Sequence, residues 1–450
     1  LLSGCWGSRR PRLFRWLGLP VVSYAVPALI AVGIVRHVHC PERGSRGGML
    51  RSRLIPPLLR KLGAIQPSSG GFLEAAPLTS FVVMCLAHAG YSEHTVVKRG
   101  VVFLCGGQRK DGSWPIDTDL ATWVTTLSVK ALAAGDRQLT SLGGDRAQSI
   151  RQWICGQQHL IRHPYTGSPP GGWAWTPLSG GVPDADDTAG ALLALRTLAD
   201  AAGSPPGDDL RNHIASGIDW LLRIQNRDGG VPTFCRGWGK LPFDRSCPDL
   251  TAHALRAMAA WRDDVTQRRG RRIDRFITRG LRYLSASQRP DGSWVPLWFG
   301  NQGAANHENP VYGTSMVLGG LNNLAAVFPQ HKGAADQLVA SGRAWLGNAQ
   351  NPDGGWGGGK GIPSTVEETA LAVSALSFVA RADAVVQRGV DWLREAVAES
   401  EPLPAAPVGL YFASLWYWEE LYPLIFATDA LGTFRRNTSN AGLPARAQHK

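Results

Sequence analysis

The chain has 450 residues, 44% of them apolar and 18% charged, against the quarter or so of charged residues usual in soluble proteins, which excludes extended disorder. It carries 17 Trp beside 8 Tyr and 13 Phe, and its 53 Gly and 30 Pro are too few for a collagenous or low-complexity chain. The net charge of +12 sits at the two ends: residues 1–53 hold nine Arg against Glu42, residues 433–450 hold Arg435, Arg436, Arg446 and Lys450 with no acid, and the 379 residues between them sum to zero.

A nucleic-acid binder carries its basic residues along the fold; an excess confined to the ends points instead to an anionic lipid surface. The seven Cys are scattered, odd in number and without a CxxC pair, which fits a reducing compartment and argues against a disulfide framework or a zinc knuckle. In chain order, Trp16 to Val35 is twenty residues without a charge, flanked by Arg9, Arg10, Arg12, Arg15 and Arg36. Gly18, Pro20, Pro27 and Gly33 interrupt it, so a segment lying in a membrane interface is expected, beside a true span or a buried core helix.

Internal repeats follow. An aromatic residue, a Gln five positions later and a Trp six after that recur as Phe103, Gln108, Trp114; Tyr283, Gln288, Trp294; and Trp345, Gln350, Trp356, each closed by DGSW or DGGW. Trp220, Gln225 and Asp228-Gly229-Gly230 form a copy with Val231 in the Trp position, and Trp153, Gln158 one whose turn lengthens to Gly171-Gly172-Trp173. The Gln residues lie 50 to 67 apart, room for two helices each. Apolar periodicity predicts outer helices over 95–105, 146–158, 210–225, 273–287 and 336–349. More uniformly apolar segments at 120–134, 187–200, 249–262, 312–327 and 366–380 predict an inner ring. The fold expected is all-α: an (α/α) toroid braced by the Gln/Trp turns, which are read as structural.

Chemistry concentrates in Pro183-Asp184-Ala185-Asp186-Asp187-Thr188. Three carboxyls in four residues cannot all ionise cheaply, so one keeps a proton, while a helix N-terminus stabilises its conjugate base. An acid-rich helix cap is the alternative reading. One repeat later, Asp249 and His253 in CPDLTAHALRAM lie four apart on one helix face, where a protonated His253 could strengthen a neighbouring acid.

The DxDDTA segment, the Gln/Trp repeats and Asp249-Leu-Thr-Ala-His253 together resemble the squalene-hopene cyclases, class II triterpene cyclases of bacteria, over about residues 11–432. The repeats alone are shared with oxidosqualene cyclases and protein prenyltransferases. The resemblance implies Asp186 as proton donor, Asp184 and Asp187 as supporting carboxylates, and His253, with Asp249 nearby, as the residue polarising Asp186. It implies a cation-stabilising lining of Trp123, Trp175, Phe234, Trp298, Tyr312 and Tyr411, and such use of aromatic faces accounts for the indole excess. The organisation expected is a basic, apolar segment at 1–53 in contact with a membrane, a remnant of a second α-barrel at 54–115, the catalytic (α/α)6 barrel at 116–432 and a basic disordered tail at 433–450.

The expected function is protonation of a terminal alkene of squalene or a related linear isoprenoid and a carbocation cascade to hopanoid products. It would need no cofactor and no metal, at the cytoplasmic face of a bacterial inner membrane, without nucleic acid and with a homodimer as an optional assembly. Two departures stand out: Phe234 where the family usually has Tyr, and an insertion at 301–310. Relatives carry a longer upstream region, so a chain beginning at Leu1 is expected to be a truncated member. A class II diterpene cyclase acting on a diphosphate and a catalytically incompetent cyclase-like fragment are the alternatives. A class I synthase lacks its DDxxD here; a prenyltransferase zinc site could draw only on Cys235, Asp249 and His253; and an inverting glycosidase would separate two carboxyls across an open cleft.

Overall fold

The computed structural model describes residues 24–40, 46–203, 205–236, 241–322, 324, 328, 332–378, 383–410 and 414–439. Helices α1 (Val26–His39), α2 (Arg46–Ile65), α3 (Ala76–Leu86) and α4 (Thr95–Gly107) form an N-terminal unit. Next come α5 (Ala121–Gly135), α6 (Gly144–Gly156), α7 (Ala185–Ala201), α8 (Asp208–Ile224), α9 (Pro248–Ala260), α10 (Gln267–Ser287), α11 (Pro310–Leu321), α12 (Lys332–Ala349), α13 (Val366–Ser377), α14 (Ala384–Glu399) and α15 (Tyr422–Ser439). A two-stranded antiparallel hairpin, β1 (Val408–Leu410) with β2 (Leu415–Tyr417), precedes α15. Helices α5, α7, α9, α11, α13 and α15 pack each on the next and α15 returns to α5, closing a ring of six among the described residues. Helices α6, α8, α10, α12 and α14 pack outside it. The expected (α/α) toroid is what the chain forms.

Inner and outer helices differ as their burial demands. Every residue of α13 is buried, and it consists largely of Ala, Val, Leu, Thr and Ser, a composition that lets an inner helix touch neighbours all round. Helix α10 instead buries one stripe, Ile273, Phe276, Ile277, Gly280, Leu281 and Leu284, and turns seven Arg elsewhere.

The Gln turns are the braces between hairpins. Gln158, Gln225, Gln288 and Gln350 each donate Nε2 to the Gly carbonyl of their own turn (Gly171, Gly229, Gly292, Gly354). Each also donates to a backbone carbonyl of the next outer helix: His213, Phe276, Leu338 and Val385. The turn glycine is obligatory: Gly229 has φ +96°, and a Cβ there would lie 2.2 Å from the Arg279 carbonyl oxygen. Indole N–H groups finish the preceding helix: Trp173, Trp294 and Trp356 donate to the carbonyls of Ile154, Leu284 and Leu346 in its last turn. A Thr early in four of the inner helices, α7, α9, α11 and α13, closes the unit, Thr188, Thr251, Thr314 and Thr369 accepting from the backbone N–H of Trp173, Val231, Trp294 and Trp356.

Two positions depart from the repeat read in the sequence. Gln66, in IQPSSGGF, makes the full brace to Gly70 and Val96, joining α2 to α4. Gln108 is exposed and, among the described residues, reaches no further than its own Gly112 at 3.4 Å, while Trp114 is 47% exposed. The ladder thus breaks between α4 and α6, where the N-terminal unit meets the toroid.

The apolar run of 16–35 has its described part in α1, where Val26, Ile30, Ala31 and Ile34 are buried against α2 and α3. That part is a core helix, contrary to the expected interfacial segment, because α3 covers its apolar face; residues 1–23 lie outside the described residues. Among the described residues no helix is long and apolar enough to cross a membrane. The basic tail expected from 433 is helical to Ser439. Arg436 donates to the carbonyls of Ala133 (3.2 Å) and Ala134 (2.7 Å), and Arg435 to that of Gly135 (3.2 Å). These cations therefore sit at the negative end of α5 and cap it. Residues 440–450 lie outside the described residues.

Removing a brace leaves two buried carbonyls short of a donor, so Gln225→Ala is expected to cost about 2–3 kcal/mol in denaturant unfolding, at 1–1.5 per bond. Gln108→Ala is expected to stay within about 0.5 kcal/mol of the parent, as surface changes do.

Candidate active site

Asp184 is the N-cap of α7: its side chain accepts from the backbone N–H of Asp187 at 2.8 Å. This cap places Asp186 and Asp187 in the first turn, at the positive end of the helix. Asp186 Oδ1 lies 2.5 Å from His253 Nδ1 on α9, with the two side chains 16% and 10% exposed. The triplet and the second motif are therefore one constellation, assembled because α7 and α9 are neighbours in the inner ring. The acid-rich cap and the His contact coexist; one carboxyl caps and the next is left to face His253.

The electrostatics favour protons. Burial pushes Asp184 up to about 7, opposed by hydrogen bonds from Asp187 and reinforced by Asp186. Burial raises Asp187 strongly as well, with the negative charges of Asp184, Asp186 and Asp117 adding to it. Asp249 is buried and pushed up to about 6, first by desolvation. Its carboxylate accepts from Cys247 Sγ, which in turn accepts from the Leu297 N–H at 3.1 Å. The charge of Asp186 thus adds to the rise of Asp249, whose hydrogen bond runs to Cys247. Asp184 Oδ2, Asp187 Oδ1 and Trp175 Nε1 are buried with no hydrogen-bond partner among the described residues.

The aromatic residues fall into two connected groups. Trp123 stands edge-on to the His253 ring at 6.4 Å and donates Nε1 to the Tyr422 hydroxyl at 2.8 Å. Tyr312 is buried and stacks on Phe299 at 4.4 Å, close enough for the charges of Asp186 and Asp249 to raise its hydroxyl beyond the effect of burial. Trp175 links this group to the second through Phe234 at 6.0 Å. Phe234 meets Trp298 at 6.1 Å and Phe243 at 5.4 Å, and Tyr24 of the N-terminal unit closes on both Phe rings. Phe234 and Trp298 therefore lie at the seam between the two units. Tyr411 lies outside the described residues.

Several residues here escaped the sequence reading. Phe243, Phe299, Tyr417 and Tyr422 belong to the same aromatic groups. The insertion at 301–310 is fastened at both ends to α13, Asn301 and Asn309 donating to Glu368 Oε1 at 3.0 and 2.9 Å. Its neighbour Glu367 is buried, pushed up to about 7 by burial, and accepts from the Ala406 N–H at 2.7 Å. A signal existed: Thr365-Val-Glu-Glu-Thr-Ala370 repeats the spacing of Asp184-Ala-Asp-Asp-Thr-Ala189. Glu74 and Asp117, acids at the seam between the two units, had none.

A closed ring of inner helices headed at one of them by three carboxyls, two buried and the third facing a His, defines a class II terpene cyclase toroid. The squalene-hopene cyclase C-terminal domain pattern matches residues 120–436, and the chain belongs to that family. It is 28% identical over 369 residues to the squalene–hopene cyclase of Bradyrhizobium diazoefficiens, covering 74% of this chain and 50% of that protein. It is 31% identical over 379 residues to a terpene cyclase–glycosyl transferase fusion protein of Humicola fuscoatra, 73% of this chain and 26% of that one. It is 28% identical over 316 residues to drimenyl diphosphate synthase of Streptantibioticus cattleyicolor, 68% and 51%. The chain thus spans between a quarter and a half of these relatives. Among solved structures, ent-copalyl diphosphate synthase from Streptomyces platensis shares the fold, with a TM-score of 0.56 at 18% identity over 92% of this chain and 77% of that one.

A carboxyl raised by burial favours the fold while protonated. Its contribution is complete below the unfolded value near 4 and is lost as pH rises through the folded value, about 7 for Asp184. Asn caps helices as well as Asp. Asp184→Asn is therefore expected to unfold several degrees higher than the parent at pH 8, the gap shrinking toward pH 4 in thermal melts followed by circular dichroism.

Proposed function

We propose that this chain protonates a terminal double bond of squalene or a related linear polyprene and steers the resulting cations into hopanoid-type rings. The observation that carries this reading is the 2.5 Å contact of Asp186 with His253 inside a cluster of buried, proton-retaining carboxyls. An isolated alkene is a weak base, so the donor must be held protonated yet release its proton without solvent to receive the charge. Burial keeps protons on its neighbours Asp184 and Asp187, which surround the donor with carboxylic acids. The α7 N-terminus and a His253 N–H directed at Oδ1 provide the second, by stabilising the carboxylate left behind.

The proton bonds to the terminal alkene carbon, each successive double bond attacks the cation before it, and a proton leaves the last cation to restore an alkene. The product is an isomer of the substrate, or its hydrate if water is captured. Trp123, Trp175, Phe234, Trp298, Tyr312 and, by resemblance, Tyr411 would face the cations with ring faces that attract positive charge and form no bonds to it, worth roughly 2 kcal/mol each when desolvated. Asp184 and Asp187 hold the local proton inventory, and Asp249 adds to the negative field.

A substrate this apolar reaches the enzyme from lipid, so a peripheral position at the cytoplasmic face of a bacterial inner membrane belongs to the same reading. The exposed Met49, Leu50, Phe81 and Met84 of the N-terminal helices and the eight net positive charges of residues 1–53 support it. A diphosphate-bearing prenyl substrate is the second reading, favoured by the similarity to drimenyl diphosphate synthase.

The purified chain incubated with squalene is expected to yield a cyclised isomer by mass spectrometry, and geranylgeranyl diphosphate in a parallel reaction separates the second reading. Asp186→Asn and His253→Ala should each lower product at least about 100-fold, the scale of general-acid contributions, with helicity retained. A yield unchanged in Asp186→Asn overturns the proposal.

A further inference from the structure

The cascade proposed above begins with a proton given by Asp186 and ends with a proton taken from the last cation, and no residue named so far takes it. We infer that Glu367, in the first turn of α13, is the base that receives this final proton. The assignment rests on the cyclase reading and gives its last step to a residue outside the DxDD motif.

The inner helices follow one another as α5, α7, α9, α11, α13, α15 and back to α5, so α13 is the third from α7 in either direction and stands across the ring from it. The two helices open alike. Thr365 caps α13 by accepting from the Glu368 N–H, as Asp184 caps α7 by accepting from the Asp187 N–H. Glu367 therefore occupies the helical position of Asp186. Glu368 is committed to structure, accepting from Asn301, Asn309 and Thr365. Glu367 is the carboxyl left over, as Asp186 is on α7.

Its face of α13 is the inner one. Two turns further along, Ser374 Oγ and Lys130 Nζ both reach Asp429 Oδ2, at 2.8 and 3.0 Å. These residues belong to α13, α5 and α15, and α13 and α5 are not neighbours in the ring, so the three meet inside it. Seven residues earlier on the same helices stand Glu367, Trp123 and Tyr422, which share those faces because seven residues make about two turns. Trp123 donates to the Tyr422 hydroxyl at 2.8 Å and stands edge-on to His253, which holds Asp186. Glu367 thus lies in the layer of the acid, on the opposite side of the ring.

Its surroundings suit a base. Glu367 is 2% exposed. Its Oε1 accepts from the Ala406 N–H at 2.7 Å, in the segment leading to β1, whose Val408 packs with Trp123 and Tyr422. Its Oε2 is buried with no partner among the described residues. One oxygen is fixed by backbone and the other keeps its lone pairs. Burial pushes the group up to about 7, opposed by the Ala406 N–H and reinforced by Glu368. The carboxylate is therefore present at neutrality and binds a proton more firmly than an exposed one would, as a base for this step requires. The C–H bond beside the last cationic carbon breaks, its electron pair closes the alkene, and the proton bonds to Oε2. Asp186 has then given one proton and Glu367 gained one, so the hydrocarbon leaves as an isomer of the substrate. Exchange with water between turnovers resets both groups, and nothing is oxidised or reduced.

The test uses the full chain with squalene as the probe and mass spectrometry of the products. Glu367→Gln keeps an acceptor for the Ala406 N–H and loses the basic oxygen. Squalene consumption is expected to stay within about threefold of the parent, because the donor is untouched, while the parent's alkene falls at least about tenfold as a share of product. Alcohols from captured water and rings closed early take its place, and Glu367→Asp returns part of the alkene. A merely structural role would lower consumption and leave the product ratio alone. An unchanged ratio, or a parallel loss of all products, overturns the assignment and leaves the cyclase reading standing. A second measurement needs no turnover. Dodecyldimethylamine, cationic at neutral pH, imitates the last cation, and calorimetry is expected to show Asp186→Asn binding it at least about tenfold more tightly than the double variant Asp186→Asn, Glu367→Gln. Equal affinities overturn the assignment whether or not squalene is a substrate. A parent chain that forms no cyclised isomer while the amine discriminates as expected counts against the cyclase reading and in favour of Glu367 as the carboxylate that faces the cation.

Discussion

The structure depends on keeping several carboxyl groups close together and away from water. Asp184 caps α7 and Asp186 and Asp187 occupy its first turn, and an unpaired buried charge is among the most costly things a fold can contain. Burial favours the protonated form of Asp184 and Asp187, which lowers that cost, and Asp186 is set at the positive end of α7, 2.5 Å from His253. Both compensations require α7 and α9 to sit side by side with their N-terminal turns level. A toroid whose inner helices all begin at one end meets that requirement by construction.

The repeated turns hold those ends level. A Gln side chain spanning from its own turn to the next outer helix fixes the spacing between hairpins, and the Thr–Trp pairing fixes the height of each inner helix against its turn. These contacts are nearly all to backbone, so they are insensitive to which side chains line the chamber. That separation lets one scaffold carry a DxDD acid on α7, a His on α9 and an acidic anchor for a loop on α13 without altering its own bracing.

Much of this was legible because it is local. The Gln/Trp spacing, the triplet and the Asp249–His253 pair each lie within a dozen residues, and the two ring periodicities placed five inner and four outer helices of the toroid to within about six residues, while α14 and the ring-closing α15 were not read and the segment at 95–105 proved to belong to the N-terminal unit. What escaped was carried by long-range pairing or by positions whose composition misleads. Gln66 lacks the Asp and Trp of its relatives, yet its glycines make the same turn. Arg435 and Arg436 look like tail residues until α15 is seen to return to α5, where the open carbonyls of Ala133, Ala134 and Gly135 need cations. The apolar run before Arg36 has the composition of a membrane segment, and only the packing of α1 on α3 shows its described part to be core.

Glu74 is the extreme case, a single acid in an apolar stretch whose neighbours in space, Asp117 and Gly180, are 43 and 106 residues away. Its position follows from backbone pairing at the seam between the N-terminal unit and the toroid, where the Gln ladder is interrupted at Gln108. Ala75 bridges Asp117, the Thr118 N–H donates to the Glu74 carbonyl at 3.3 Å and the Gly180 N–H donates to Glu74 Oε1 at 2.7 Å. The left-handed angles at Leu73 and Glu74 are the strain this pairing retains, because they set the carboxyl against Gly180, where any side chain would collide with it.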